Sequence, residues 1–387
     1  MIGISTSNLV NEKFPISFVG SKQVIKLLTS DFTLYLWYNP CNKTNMKRKA
    51  SPKTFIKSCF SIIFLLPVTL FSQGKYDITK DPEVLEAMSK AMSNPVSELI
   101  IGEIQMDFTQ IAVPTLPTFT HTDSSFTMNP GGSAGKFSQR YTFVPTFPIP
   151  VTKKIVLVSR LAIPYAVVPF KAELGNYLTS VTGGGLLADS SFRATIKDPF
   201  GKTSGLGDLV YVGLFAPKKG VTTEAGSSIF YGLGPTVMIP TASSSLLGTG
   251  RWSGGPAFVF GHISSRWHIL MLVQQYWGKD LSIMTGQYAI FYTPDPTWNI
   301  GMSPTFTINW KAPTNQQITF PVGFGANHTF YFGELPVAIG FEGYYSVLHP
   351  ETYPGSRMAF RVYVIPVIPA PWSNLGKTIK ERKAIHQ

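Results

Sequence analysis

Residues 298–310 read WNIGMSPTFTINW and alternate without a miss. Trp298, Ile300, Met302, Pro304, Phe306, Ile308 and Trp310 share one face; Asn299, Gly301, Ser303, Thr305, Thr307 and Asn309 share the other. Period two marks a β-strand whose faces meet different surroundings. A sandwich strand also alternates, so the tryptophans matter more. They close the apolar face at both ends, about 40 Å apart at ~3.3 Å per residue. Tilted by roughly 40–45°, such a segment rises about 30 Å, near the ~25 Å apolar band of a membrane barrel plus its aromatic girdles. The other face carries Asn, Ser, Thr and Gly rather than the Lys and Glu of a water-washed surface. That pattern assigns the apolar face to the outside and the small polar face to a confined lumen.

Other segments keep the period. Trp267, Ile269, Met271, Val273 and Trp277 share a face, with Gln275 the one polar intruder. Ile318, Phe320, Val322, Phe324 and Ala326 oppose Thr319, Gly323, Gly325 and Asn327; Leu335, Val337, Ile339, Phe341 and Tyr345 oppose Gly340, Glu342 and Ser346. About twelve strands are expected, near 98–110, 134–149, 153–169, 206–217, 227–242, 249–264, 266–278, 281–294, 298–312, 316–333, 335–349 and 356–368. The fold class is all-β: a closed antiparallel transmembrane barrel, as an even count suits. Connections tend to alternate between long (111–133, 171–205) and short ("SSR", "PDPT", "FGELP"). "PKKGVTTEAGSS" and "GKD" have the wrong lengths for their sides, which leaves the count open by a hairpin. The segment 75–97 precedes the barrel and holds a short helix in DPEVLEAMSKAMSNP, with Asp81 as N-cap, Pro82 at the first helical position and Asn94-Pro95 as stop.

Only 14% of residues are charged, against roughly 25% in an ordinary soluble domain. No run of about 18 apolar residues announces a membrane-spanning helix. Lys47, Arg48, Lys49, Lys53 and Lys57 precede an apolar run from Cys59 to Phe71, and the small residues Ser72 and Gly74 follow. This is the layout of a secretory signal peptide over 46–74. Residues 1–45 then read as a segment upstream of the true start, and 370–387 as a basic tail. Beyond residue 74 the chain has no cysteine, and 24 basic against 19 acidic residues leave a net +5. A disulfide framework, a thiolate metal site and nucleic-acid binding all lose their support.

Several stretches occur in order: NPVSELI (94–100), YTFVPTFPIPV (141–151), SGLGDLVYVGLFAPKK (204–219), GLGPTVMIPTAS (232–243), LGTGRWSGGPAFVF (247–260) and FEGYYSVLHPE (341–351). Together, from about residue 90 to 369, the chain resembles the MetA-type outer-membrane barrels named after a phenol-degradation pathway. The resemblance implies a channel for small, often aromatic, compounds. It departs at IIGEIQMDFTQ (100–110) and in the basic tail.

No enzyme motif is present. The six histidines show no H-x-x-x-H or H-E-x-x-H spacing, and no serine sits in a G-x-S-x-G elbow. No catalytic residue, metal or cofactor is expected. If the apolar face meets lipid, Glu103, Asp107, Arg140, Arg160, Glu342 and Arg361 point inward. They either form a charge ladder that sets ion selectivity or pair across a narrow barrel. Trp252, Trp267, Trp277, Trp298 and Trp310 mark the membrane interface. The expected location is the outer membrane of a Gram-negative bacterium, with lipid and a small solute as partners and secretion and barrel-assembly machinery during biogenesis. Two other readings stay open: a barrel enzyme acting on membrane lipid, and a surface-interaction barrel using the 171–205 loop.

Overall fold

The computed structural model describes residues 99–112, 136–172, 200–350 and 355–370, apart from residues 219, 224–226, 315, 333 and 334. It also describes residues 4–5, 18–19, 22–29, 32–38, 116–118 and 127–129, and the single positions Val84, Met88, Ala91, Met92, Trp372, Lys377 and Glu381. The signal-peptide segment 46–74 and most of the 171–205 connection lie outside the described residues. The chain divides into two compact units, Met1–Pro67 and Val68–Gln387. The first holds a four-stranded antiparallel sheet, with Lys22–Thr29 paired to Phe32–Tyr38 at its centre.

The second unit is a closed antiparallel barrel of twelve strands. They are β1 (Leu99–Ala112), β2 (Phe137–Pro150), β3 (Ile155–Phe170), β4 (Phe200–Leu206 continued by Leu209–Pro217), β5 (Ser228–Ile239) and β6 (Ser253–Ile263). β7 (Trp267–Gly278), β8 (Leu281–Asp295), β9 (Trp298–Met302 continued by Thr305–Asn309), β10 (Ile318–Phe332), β11 (Leu335–Leu348) and β12 (Gly355–Pro369) complete it. Each strand pairs with its neighbour in sequence, and β12 returns to β1 from Pro369↔Leu99 to Gly355↔Ala112. Following the registers once round the barrel shifts the chain by about 14 residues, a shear that tilts the strands by about 40°.

The expected strands match closely, and both irregular connections belong to a barrel of twelve. The connection after β4 carries a two-residue strand, Val221–Thr222, paired to β5. The turn between β7 and β8 is tight because Asp280 adopts φ 56°. Two strands read as continuous are broken. β4 starts earlier, at Phe200, and is interrupted at Gly207-Asp208; β9 is interrupted at Ser303-Pro304, where proline brings no N–H to the ladder. Of the expected N-terminal helix, Val84, Met88, Ala91 and Met92 are described, and all four are helical.

The break in β4 explains the glycine-rich motif at 247–254. Asp208 is buried, and its carboxylate accepts from the Ala242 N–H (3.1 Å), the Thr249 N–H and the Thr249 hydroxyl (2.8 Å). Gly248 lies so close that a Cβ there would overlap the carboxylate, and Gly250 turns the chain at φ 64°. Arg251 then donates to the Lys279 carbonyl at 2.8 Å. The glycines serve a loop folded onto one acid. Asp208→Ala strands buried donors, so it is expected to cost about 2 kcal/mol, read as a lower midpoint for urea unfolding of the folded barrel.

Candidate functional site: the barrel interior

Along β9 the apolar alternates face outward and the polar alternates inward. Exposed apolar side chains ring the barrel: Phe324 is 69% exposed, Leu233 60% and Phe341 54%. Two aromatic collars bound this belt. At the end with Trp267 and Trp298, Trp267 packs on Tyr292 (5.3 Å) and Trp298 on His328 (4.6 Å). At the other end stand Trp252, Trp277 and Trp310, all exposed. The polar intruder Gln275 accepts the Trp310 indole N–H at 3.1 Å, so it is spent within that collar.

The inner surface is not lined throughout by the small polar residues that the alternating strands turn to it. β3 to β7 turn apolar side chains inward as well as outward: Val156, Val158, Val212, Leu214, Ala216, Phe230, Ala257, Val259, Ile263 and Leu272 form one buried cluster. The opposite wall, from β8 round to β1, is polar over its middle and turns apolar at the end that holds Leu99, Ile101, Ile365 and Val367. There the Thr293 hydroxyl meets His268 Nδ1 (3.2 Å) and donates to Asn299 (2.6 Å). Asn299 donates to Asn327 (3.0 Å), and Asn327 to the Tyr363 hydroxyl (3.0 Å). The interior thus has an oily half and a hydrogen-bonding half.

Between these walls lie two cavities. One, of about 200 Å³, is lined by Met92, Glu103, Arg160, Val158, Leu214, Leu270, Asn299, Asn327 and Arg361 among others. The second, of about 310 Å³, is lined by Asp107, Arg140, Arg160, Val212, Met238, Tyr276 and Arg361 among others. Gln105, Arg160, Leu272, Gln287 and Arg361 border both. An apolar cavity of about 150 Å³ already admits benzene, so either accommodates a small aromatic molecule.

Five of the six inward charges inferred from sequence line these cavities, and most are engaged. Arg160 pairs with Glu103 (3.1 Å), and Arg361 Nε with Asp107 (2.7 Å). Arg140 stands in register with Asp107 on β1 and has no ion pair among the described residues. Glu342 differs: it is fully buried and lines neither cavity.

Its role lies at the break in β9. β10 pairs β9 at Gly301↔Gly325 and again at Thr307↔Thr319, leaving the seam between these two strands without ladder pairs in between. Gly325 has no side chain, so Glu342 reaches from β11 across β10 to that gap; a Cβ at Gly325 would overlap it. The carboxylate accepts from the Ser303 N–H, from the Ser303 hydroxyl (2.8 Å) and from the Tyr344 hydroxyl (2.6 Å). Arg361 donates to the Ser303 carbonyl at 2.9 Å. Side chains replace the missing ladder bonds, and Met302 Sδ takes the Gly323 N–H at 3.3 Å in the same way. The outer side of the gap is held too: the Tyr288 hydroxyl donates to the Pro321 carbonyl at 2.6 Å, and its ring stacks on Phe320 at 5.4 Å. Sequence reading placed Glu342 and Arg361 inside but missed this task; Pro304 and Pro321 on adjacent strands were the available signal. Among the described residues no group of three or more His, Cys, Asp or Glu side chains is gathered to hold a metal.

Glu342→Ala leaves the Ser303 N–H and the Tyr344 hydroxyl without their acceptor in a dry site. It is expected to destabilise the barrel by about 3 kcal/mol, measured as a lower urea midpoint. Gly325→Leu, which blocks the crossing, is expected to act in the same direction.

No protein-family model matches the chain, and no curated protein matches it. Among solved structures it is similar to an outer-membrane channel of Pseudomonas putida F1, at 14% identity and a TM-score of 0.42, over 70% of this chain and 96% of that one. It is similar to a FadL homologue of Pseudomonas aeruginosa at 9% identity and a TM-score of 0.28, over 70% and 89%. A toluene transporter of Pseudomonas putida, TodX, shows 9% identity and a TM-score of 0.28, over 72% and 92%.

Proposed function

We propose that the barrel spans the outer membrane of a Gram-negative bacterium and admits small solutes with an aromatic or aliphatic body and a polar group. The observation that carries this reading is the two-sided wall: an apolar belt between aromatic collars outside, and cavities between an oily and a hydrogen-bonding half inside. A belt of that kind in water would be an aggregation surface. In lipid it is the required face, and the closed ladder leaves no strand edge unpaired. Trp252, Trp267, Trp277, Trp298 and Trp310 then sit at the two interfaces. Residues 46–74 act as the signal peptide that directs the chain to the secretion and barrel-assembly machinery, and residues 98–369 form the barrel. On its sequence motifs we assign the chain to the MetA type, with transport rather than catalysis as its activity.

Purified protein in planar bilayers is expected to give discrete conductance steps; a silent membrane across voltages and salts overturns the channel reading. Two carboxylates (Glu103, Asp107) and three guanidiniums (Arg140, Arg160, Arg361) line the cavities, so a KCl gradient should give a reversal potential displaced slightly toward anion preference. Glu103→Gln leaves the interior more positive, so it should shift that potential further toward anion preference. Met271→Arg places a charge on the belt and is expected to cost about 2–4 kcal/mol when the barrel folds into vesicles.

A further inference from the structure

The cavity of about 200 Å³ has a floor that no strand supplies. Met92 lines it beside Ile101 and Ile365 of β1 and β12. The other helical residues lie alongside: Val84 (2% exposed) and Met88 (0%) cluster with Leu99 and Val367, against Ile101, Tyr331 and Ile365. Every one of these strand residues has the parity of the inward face: Leu99 and Ile101 align with Glu103, Ile365 and Val367 with Arg361, and Tyr331 with Asn327. They stand at the end where Leu99 pairs Pro369, beside the short connections after β8 and β10. An apolar helical face is therefore seated inside one mouth of the barrel.

We propose that the segment bearing Val84, Met88, Ala91 and Met92 is a stopper that closes this mouth, with Met92 as the floor of the solute cavity. In the outer membrane this is the mouth with the short turns, the periplasmic one. The cluster that forms the seat is apolar. Burying Val84 and Met88 favours closure. Against it, the Tyr331 hydroxyl is buried in the same seat with no protein partner among the described residues. Its lost hydration opposes seating, and water restores it when the stopper leaves. Such a balance describes a contact that holds yet releases.

The test uses two disruptions, Met88→Asp in the full chain and deletion of residues 75–92, each checked for the folded barrel by its heat-modifiable mobility in gels. Single-channel conductance is expected to rise several-fold in both. A folded variant with wild-type conductance overturns the proposal. A second arm does not depend on the channel reading. Val367→Cys, in a chain with Cys41 and Cys59 replaced by Ser, is 1% exposed at the native residue. It should resist a membrane-impermeant maleimide, and react many-fold faster when Met88→Asp is added. Equal labelling with and without Met88→Asp also overturns the proposal. Loss of conductance in wild type and variants alike, with the labelling contrast intact, would sink the channel and keep the stopper.

Discussion

Backbone N–H and C=O groups surrounded by apolar matter must find partners within the protein, and this constraint shapes everything else in the barrel. Twelve strands meet it by pairing each with the next and the last with the first. A lapse sits between β9 and β10, where Pro304 and Pro321 fall on facing strands and the ladder opens. The repair uses charged side chains: Glu342 supplies the acceptor for the Ser303 N–H, and Arg361 the donor for its carbonyl. A carboxylate and a guanidinium placed inside a barrel thus need not concern the solute at all. Here they mend the wall.

That repair reaches into the barrel interior. Arg361 borders both cavities, and its Nε–H is fixed on Asp107. The side chain that narrows the interior is therefore held by the wall on one side and by β1 on the other. Arg160 and Glu103 stand near it as a second pair. Narrowing by paired charges differs from a ring of one sign: it presents both a donor and an acceptor surface to a passing molecule and little net field. Combined with the oily half formed by β3 to β7, it suits solutes that are part polar and part apolar.

The strands were legible because residues such as those of 298–310 alternate strictly and end in tryptophan. Both strand breaks escaped notice for the same reason. Side-chain periodicity survives an interruption of one or two residues, as the parity of Trp298 and Trp310 across Ser303-Pro304 shows. The oily inner half was harder to read. Segments such as IVLVSRLAIPYAVV and WHILMLV are apolar at both parities, and apolarity inside a barrel was not anticipated. Parity assigned the six charges to the inward side of their strands, but partners 57 and 254 residues apart, as for Arg160–Glu103 and Arg361–Asp107, are set by topology alone. Likewise, the helical residues were foreseen as helix, while their seat depends on barrel closure.

Closure between β1 and β12 has a consequence for how the molecule comes into being. The pairing joins the opposite ends of the barrel sequence, so β1 has no partner on that side until the final strand exists. Until then the growing sheet carries two bare edges, each a template for another chain. The oily half, β3 to β7, is complete well before that moment and has apolar side chains on both faces. The nascent sheet is thus at its most adhesive when it is least able to shield itself. Sealing the seam ends this exposure, and the same act locks Arg361 onto Asp107 and sets the mouth in which Leu99 and Val367 receive the helix.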